Sequence, residues 1–114
     1  MANVDFYLIR RTIDNLLMNA IKFSNPESTI TFKIDRSYTN HVKFMVSDLG
    51  YGIADDLKTT IFNPYPSSDV ATDVAKIGLG LTFCKTVAEA HGGTIAVSDN
   101  YPQGSVFTLM IPTP

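Results

Sequence analysis

The stretch that decides the fold is IRRTIDNLLMNAIKFS, residues 9–24 of a 114-residue chain. Its apolar side chains recur at intervals of three and four residues, as on one face of an amphipathic helix. They are Ile9, Ile13, Leu16, Leu17, Ala20 and Ile21. Pro26 follows closely and prevents much extension, because proline has no backbone N–H and its ring obstructs the preceding turn. We therefore predict a helix from Asp5 to Ser24.

The same helix carries a second, polar pattern. Asn15, Asn19 and Lys22 are spaced by four and three residues, which places them on one stripe about opposite the apolar face. An amide oxygen is a hard ligand that suits Mg²⁺, and a lysine ammonium is a point charge that suits phosphate oxygens. A solvated polar face explains the stripe equally well. The helix alone leaves both interpretations open.

The rest of the chain predicts two hairpins and a second long helix. Four segments are short, alternating and rich in β-branched or aromatic residues, namely 30–35, 42–46, 94–98 and 106–111. Residues 79–90 have the character of a helix that ends at Gly92-Gly93, and residues 55–61 could form a short helix. This order predicts an α+β fold, a two-layer α/β sandwich with a mixed sheet and helices on one face.

The segment DLGYGI, residues 48–53, directly follows an apolar strand. It places the carboxyl group of Asp48 at the end of that strand. Gly50 and Gly52 stand where the backbone needs a positive φ angle or a close approach to a ligand. A carboxylate at such a place suits an exocyclic amine. An ordinary Asp-Gly turn is the competing interpretation.

The segment GLGL, residues 78–81, ends a polar loop and opens the second helix, where free N–H groups and the helix dipole favour an anion. A third glycine is missing, and no Gly-Lys-Ser/Thr follows, so the segment is neither a dinucleotide fingerprint nor a Walker loop. A flexible joint is the alternative. Residues 63–76 contain two prolines and no periodicity, and we predict that they form a mobile lid.

Together these segments resemble the nucleotide-binding fold shared by DNA gyrase, the ninety-kilodalton heat-shock chaperone, MutL and the histidine kinases. Residues 9–24 look like the kinase N box, 48–53 like the G1 box, 61–65 like the F box and 78–81 like the G2 box. The chain also closes as histidine kinases do, with AHGGTI at 90–95, GSVF at 104–107 and Ile111-Pro112. The resemblance covers nearly the whole chain and implies a Bergerat-type ATP-binding fold.

The resemblance also implies roles for single residues. On the phosphate side, Asn19 would coordinate Mg²⁺, and Asn15 and Lys22 would hold phosphates of ATP. Phosphate would also be bound by the N–H groups of Gly78, Leu79, Gly80, Leu81 and Thr82. On the adenine side, Phe23 would lie against the nucleotide and Asp48 would accept the adenine amino group. The pocket would be shaped by Gly50, Gly52 and Ile53, and Ser105 would add a water-mediated contact.

Two departures from the family pattern stand out. Lys76 occupies the place of the first G2 glycine, where it could supply a phosphate-binding cation. Only residues 2–4 stand where the family has one more strand before the N box, so we expect a trimmed edge strand. Residues 1–114 would then form a single catalytic domain that lacks the dimerisation and phosphoacceptor domain.

The function implied is donation of the γ-phosphate of Mg-ATP to a histidine on that separate domain, with a response regulator downstream. No residue of the chain is assigned as catalytic, because the phosphoacceptor histidine lies elsewhere. A serine kinase such as an anti-sigma factor, or an ATPase, is the alternative. Those relatives have a glutamate where this chain has Asn15, and an amide cannot serve as a general base. A non-catalytic nucleotide-binding module also stays open.

Composition and charge limit the partners, the cellular compartment and the metal sites that can be expected for this chain. A net charge of −2 with scattered Lys and Arg offers no footprint for nucleic acid or an anionic membrane surface. The single cysteine, Cys84, and the lack of a signal-peptide pattern indicate a cytoplasmic domain. Neither His41 nor His91 has metal-ligand spacing. We expect His91 to cap a helix end and Cys84 to lie in the core.

Overall fold

The computed structural model describes residues 5–63 and 72–113, with side chains in the second range described from residue 80 onwards. Two long helices and four strands make up this part of the chain. They are α1 (Phe6–Phe23), β1 (Thr31–Asp35), β2 (His41–Ser47), α2 (Thr72–Ala90), β3 (Thr94–Asp99) and β4 (Ser105–Pro112). A short 3-10 helix, Asp55–Leu57, lies within the segment for which a short helix was predicted. None of the described helices is long and apolar enough to cross a membrane.

Helix α1 lies where the sequence predicts it. The side chain of Asp5 caps its first turn by accepting a hydrogen bond of 3.1 Å from the backbone N–H of Leu8, which satisfies one of the free donors of a helix start. The backbone turns extended at Ser24, just before Asn25 and Pro26. Asn25, the residue directly before Pro26, is disfavoured in helical geometry, so the helix has to end before it.

The four strands form one sheet in the order β1-β2-β4-β3. Its inner pair, β2 and β4, sets Val46 opposite Phe107 and Phe44 opposite Leu109. Every pairing among the described strands is antiparallel, so the prediction of a mixed sheet was wrong, whereas the two-layer sandwich is confirmed. The two hairpins are joined by the antiparallel pairing of β4 with β2. Within its own hairpin, β4 is more buried than β3.

The core lies between the helices and one face of the sheet. Leu16 of α1, Leu81 of α2 and Leu109 of β4 are fully buried there. Burial of each such side chain stabilises the fold by about 1.5–3 kcal/mol. One cluster of the core, which includes Leu16, Val46, Leu81 and Phe107, lies toward the end of the sheet where β2 stops and β4 begins. That end carries the candidate site.

Helix α2 begins at Thr72, seven residues before the predicted start at Leu79. No proline occurs between Pro66 and Pro102, so nothing after Pro66 blocks a helix, and each internal glycine costs only about 1 kcal/mol. Leu79 is therefore the eighth helical residue rather than the first. Only the first four N–H groups of a helix lack a partner, so the predicted cradle of free N–H groups is not formed at 78–81. Of the predicted lid, residues 72–76 are helical and 64–71 lie outside the described residues.

Candidate functional site

A cavity of about 210 Å³ opens at the end of the sandwich where α1 stops and β4 starts. Pockets that enclose a drug-sized ligand span roughly 300–1,000 Å³, so this cavity suits one ring system rather than a whole nucleotide. The residues that line it are Asn19, Phe23, Asp48, Tyr51, Gly52, Ile53, Ala54, Leu57, Ile61, Ser105 and Phe107. Most of this lining is apolar, and the polar side chains are few.

Asp48 is the most constrained polar residue of the cavity. Its side chain is almost fully buried, and its Oδ1 atom accepts hydrogen bonds from the N–H groups of Gly50 at 2.9 Å and Ser105 at 3.3 Å. Its own N–H donates to the carbonyl of Ser105 at 2.9 Å. The other carboxyl oxygen, Oδ2, has no hydrogen-bond partner among the residues that the structure describes. The carboxyl group therefore has one oxygen fixed by the backbone and one available to a ligand.

The two glycines of the 48–53 segment meet the two needs that the sequence predicts. A Cβ atom at Gly50 would lie 2.2 Å from the carbonyl oxygen of Phe23, so only glycine lets the segment approach the end of α1 so closely. Gly52 has a φ angle of +76°, a region that side chains disfavour. The segment is thereby folded back against α1, with Asp48 facing the cavity.

Asn19 is the second polar side chain of interest. It projects from the last turns of α1 into the cavity lining, and its Nδ2 atom is buried with no hydrogen-bond partner among the described residues. Buried side-chain polar atoms nearly always have a partner, so an unsatisfied amide beside a cavity indicates a place for a ligand atom or a water molecule. Its predicted role as a magnesium ligand stays a prediction.

The other members of the predicted phosphate site are less close together. Asn15 points between the helices, where its Nδ2 lies 3.5 Å from the carbonyl oxygen of Gly80. Lys22 is exposed, with its Nζ 5.6 Å from the centre of the Phe23 ring. Neither side chain lines the cavity, so their contact with phosphate stays a prediction.

The remaining residues that were predicted to bind phosphate lie on α2. Leu81 is buried in the core, and the hydroxyl group of Thr82 donates to the carbonyl of Phe62 at 3.2 Å. Gly80 packs against Asn15. Lys76, Gly78 and Leu79 lie in the helical segment whose side chains are outside the description. None of the three described residues among them lines the cavity.

Sequence reasoning did not assign several residues that shape the site. Tyr51, Ala54, Leu57, Ile61 and Phe107 complete the lining of the cavity. Phe107 could have been inferred, because it is two residues after Ser105 on a strand and so shares its face. The side chains of Asn100 and Gln103, which contact the backbone of the 48–53 segment, gave no local signal.

His91 and Cys84 have structural surroundings. The Nδ1 atom of His91 lies 2.7 Å from the carbonyl oxygen of Val87, and its Nε2 accepts a hydrogen bond of 3.0 Å from the N–H of Asp5. The ring thus caps the end of α2 and joins it to the start of α1, as the capping prediction requires. Cys84 is fully buried, as predicted, and this burial raises the pKa of its thiol to about 12.

These features define a class, an α/β sandwich with an apolar, ring-sized cavity at one end and a buried carboxyl group facing it. Residues 5–114 match the family described as histidine kinase-, DNA gyrase B- and HSP90-like ATPase, and the chain belongs to that family. Membership implies that the domain binds ATP. Among the residues that the structure describes, no group of three or more His, Cys, Asp or Glu side chains could hold a metal ion.

Individual relatives agree with this assignment. The sensor protein KdpD of Clostridium acetobutylicum is 38% identical over 114 residues, which is 98% of this chain but 13% of that protein. The catalytic domain of histidine kinase ThkA has a TM-score of 0.81 at 29% identity, over 96% of this chain and 69% of that one. Full-length ShkA, solved in complex with AMPPNP, has a TM-score of 0.77 at 30% identity, over 92% and 21% of the two chains.

Proposed function

We propose that this chain is the catalytic domain of a two-component sensor histidine kinase, which holds Mg-ATP and presents its γ-phosphate to a histidine on a separate dimerisation domain. Residues 1–114 would form one domain of a longer kinase. The phosphorylated histidine of that kinase would then pass its phosphoryl group to a response regulator. The observation that carries the proposal is the buried carboxyl group of Asp48 at the apolar cavity, whose Oδ2 oxygen has no hydrogen-bond partner among the described residues. The ShkA structure with AMPPNP supports it from a relative.

Asp48 has the chemistry to recognise adenine. Its Oδ2 is an acceptor without a protein donor among the described residues, and the adenine amino group is a donor that needs an acceptor. The apolar neighbours Ile53 and Phe107 exclude water from one face of such a contact. A hydrogen bond is stronger where the local dielectric is low, so this site favours adenine over bases that lack the amino group.

The phosphates would leave the cavity past the end of α1. Asn19 would hold a magnesium ion there, because it lines the cavity and an amide oxygen is a hard ligand. Lys22 is exposed one helical turn further along and could reach phosphate oxygens. Bound Mg²⁺ supplies neutralisation of the negative charge that builds up on the phosphate oxygens during transfer.

The acceptor histidine would come from outside the chain. His91 lies beside Gly92, which is near Pro112 at the far end of β4, whereas the cavity lies at Ser105 where β4 begins. His41 likewise begins β2, at the end of that strand remote from Asp48. Neither imidazole is therefore near the cavity. An incoming imidazole nitrogen would attack the γ-phosphorus as the bond to the bridging oxygen breaks and ADP leaves.

The site offers little support for hydrolysis of ATP or for a serine kinase. Either reaction needs a general base near the γ-phosphate. Among the described residues that line the cavity, Asp48 alone carries a carboxyl group, and its place is that of the adenine contact. Asn15, which stands where those relatives have glutamate, contacts Gly80 through an amide.

Calorimetric titration with AMPPNP, with and without Mg²⁺, tests nucleotide binding, and phosphotransfer tests the reaction. The chain is mixed with the dimerisation domain of its parent kinase and radiolabelled ATP. We expect an acid-labile label on that domain and none on the isolated chain. Labelling that survives acid, as phosphoserine does, or steady phosphate release by the chain alone would overturn the proposal in favour of the serine kinase or the ATPase.

A further inference from the structure

The turn between β3 and β4, residues 100–104, lies against the 48–53 segment that carries Asp48. We infer that Asn100 and Gln103 in this turn are positioning residues for the adenine contact: they fix the backbone that aims the carboxyl group of Asp48. The inference rests on the proposed function, because it assigns these residues to the same nucleotide site. Neither side chain lines the cavity, so they would act on a nucleotide through the backbone that they hold, which includes that of Asp48.

Asn100 is held at both ends of its side chain. Its Nδ2 donates to the carbonyl oxygen of Asp48 at 2.8 Å, and its Oδ1 accepts from the N–H of Tyr101 at 2.9 Å. Its own N–H donates to the carbonyl of Gly104 at 2.9 Å, which closes the turn. The side chain is half-buried, so these bonds are partly shielded from competition with water. Asn100 therefore ties a closed turn to the residue that faces the cavity.

Gln103 contacts the next carbonyl along the chain. Its Nε2 donates to the carbonyl oxygen of Leu49 at 2.8 Å. Two side-chain amides from one turn thus hold the carbonyls of two successive residues, Asp48 and Leu49. Because each peptide unit is planar, holding both carbonyls restrains the φ and ψ angles of Leu49, which lies between them. That residue links the strand end to the glycine whose N–H bonds Asp48 Oδ1.

An ion pair joins the same two parts of the chain, between Lys58, which follows the 48–53 segment, and Asp99, which precedes the turn. Lys58 Nζ lies 2.7 Å from the carboxyl oxygen of Asp99, and it also contacts Asp55. Hydrogen bonds to Asp55 and then to Asp99 raise the pKa of Lys58. The carboxyl groups of Asp55 and Asp99 are largely exposed, and ion pairs to exposed carboxylates contribute little to stability, so we assign the positioning to the two amides and not to Lys58.

The turn can come so close only because residue 104 is glycine. A Cβ atom there would lie 2.0 Å from the carbonyl oxygen of Asp48, the same oxygen that Asn100 holds. The carbonyl of Asp48 is therefore enclosed by the turn, while its carboxyl group faces the cavity. A shift of the turn would move the carboxyl group and weaken the adenine contact.

Asn100→Asp is the most informative variant. It keeps an oxygen to accept from Tyr101, so it preserves the local turn, but it replaces the donor to Asp48 with an acceptor. The probes are ATP and purine riboside triphosphate, which lacks the amino group and so lacks the contact with Asp48. Loss of the hydrogen bond from Asn100 to the carbonyl of Asp48 should leave the carboxyl group less well placed, so ATP should bind about 3- to 10-fold more weakly. The affinity for purine riboside triphosphate should change by less than about 2-fold.

Asn100→Ala and Gln103→Ala should follow the same pattern, and Gln103 is exposed, so its variant is expected to fold. Asn40→Ala is the matched control, because Asn40 lies in the turn of the other hairpin and its side chain contacts His41. Equal weakening of both nucleotides in the Asn100 and Gln103 variants, or no weakening of ATP, would overturn the inference. If the unaltered chain itself fails to prefer ATP over purine riboside triphosphate, the assignment of Asp48 fails first, and thermal melts report any loss of folding.

Discussion

Asp48 and Ser105, 57 residues apart in the chain, are joined by two backbone-anchored hydrogen bonds. The N–H of Asp48 donates to the carbonyl of Ser105 at 2.9 Å, and the N–H of Ser105 donates to the Oδ1 atom of Asp48 at 3.3 Å. The end of β2 is thereby fastened to the start of β4. The carboxyl group that faces the cavity is thereby anchored to the sheet, and the turn of residues 100–104 holds the backbone beside it.

Gly104→Ala should damage both the fold and the nucleotide site. The new Cβ would lie 2.0 Å from the carbonyl oxygen of Asp48, and the φ angle of +104° is unfavourable for any side chain. We expect a loss of about 2 kcal/mol or more in the free energy of unfolding, and ATP affinity should fall as well. Chemical denaturation and calorimetry measure the two effects.

Gly92→Ala is the matched control for that change. Gly92 also has a positive φ angle, +74°, but the nearest atom to a new Cβ would be Pro112 Cγ at an ordinary 3.8 Å. It should therefore lose only the conformational part, about 1 kcal/mol, and keep ATP affinity. Equal losses of stability in the two variants would mean that the close approach of residue 104 to Asp48 has no energetic consequence.

Most of the helices and strands could be predicted from the sequence, because the periodic spacing of apolar residues that marks them is contained in short segments. Helix α1 and both hairpins could be located from alternation and helical spacing within short windows. The pairing of β2 with β4, and hence the antiparallel sheet, depends on contacts between distant segments. The start of α2 was misplaced because Gly78 and Gly80 indicate a joint, although neither glycine forbids a helix.

The candidate site could be predicted only in part, for a related reason. The lining by Asn19, Phe23, Asp48, Gly52, Ile53 and Ser105 agrees with positions that the motifs mark. Asn15 belongs to the same polar stripe as Asn19, yet its amide packs against α2, because a stripe does not reveal where a second helix crosses it. Asn100 and Gln103 act on residues more than 50 positions away, so no short pattern contains their contacts.

Asn19→Ala should weaken the binding of Mg-ATP far more than that of metal-free ADP. The reason is that Asn19 lines the cavity and its amide oxygen is a hard ligand that suits the ion. Loss of one contact to a charged group predicts at least about a 10-fold change for Mg-ATP. Asn15→Ala provides the comparison on the same helix, since it should not alter the dependence on Mg²⁺. If Asn19→Ala weakens both ligands equally in calorimetry, Asn19 is not the magnesium ligand.

Cys84 should be unreactive until the protein unfolds. Burial raises the pKa of its thiol to about 12, and its sulfur lies 3.6 Å from the carbonyl oxygen of Thr12. At pH 8 the thiolate fraction is then about one part in 10⁴, against roughly a quarter for an unperturbed thiol. Mass spectrometry after iodoacetamide treatment should find labelling in urea and none under native conditions. Rapid labelling of the native protein would contradict the buried position.

The same raised pKa predicts a loss of stability at high pH. An unfolded cysteine loses its proton near pH 8.5, whereas the folded thiol keeps its proton up to about pH 12. The contribution to stability is therefore fully present below about pH 8.5 and is lost as pH rises toward 12. Cys84→Ala should flatten this decline relative to the unaltered chain, because all other titrating groups are shared. The free energy of unfolding is measured by urea denaturation between pH 8 and 11. The same dependence on pH in both proteins would contradict the prediction.

Asp48→Asn is the sharpest test of the adenine contact, because it changes one functional group in a fixed place. An asparagine oxygen can still accept from the N–H groups of Gly50 and Ser105, so the local fold should persist. Its amide nitrogen would then occupy the place of Oδ2 and face the adenine amino group, donor against donor. A hydrogen bond to a charged group is worth about 1.5–3 kcal/mol, so ATP affinity should fall roughly 10- to 150-fold. Guanine carries a carbonyl at the position of that amino group, and the new amide can donate to it, so discrimination against GTP should shrink.

Asp56→Asn is the matched control for Asp48→Asn, because it removes the same charge from an exposed residue of the 3-10 helix and should change neither affinity. Calorimetry with ATP and GTP on the three proteins, with thermal melts as the folding control, decides the matter. A folded Asp48→Asn variant with unchanged ATP affinity and unchanged rejection of GTP would make Asp48 a turn residue and place the adenine pocket elsewhere.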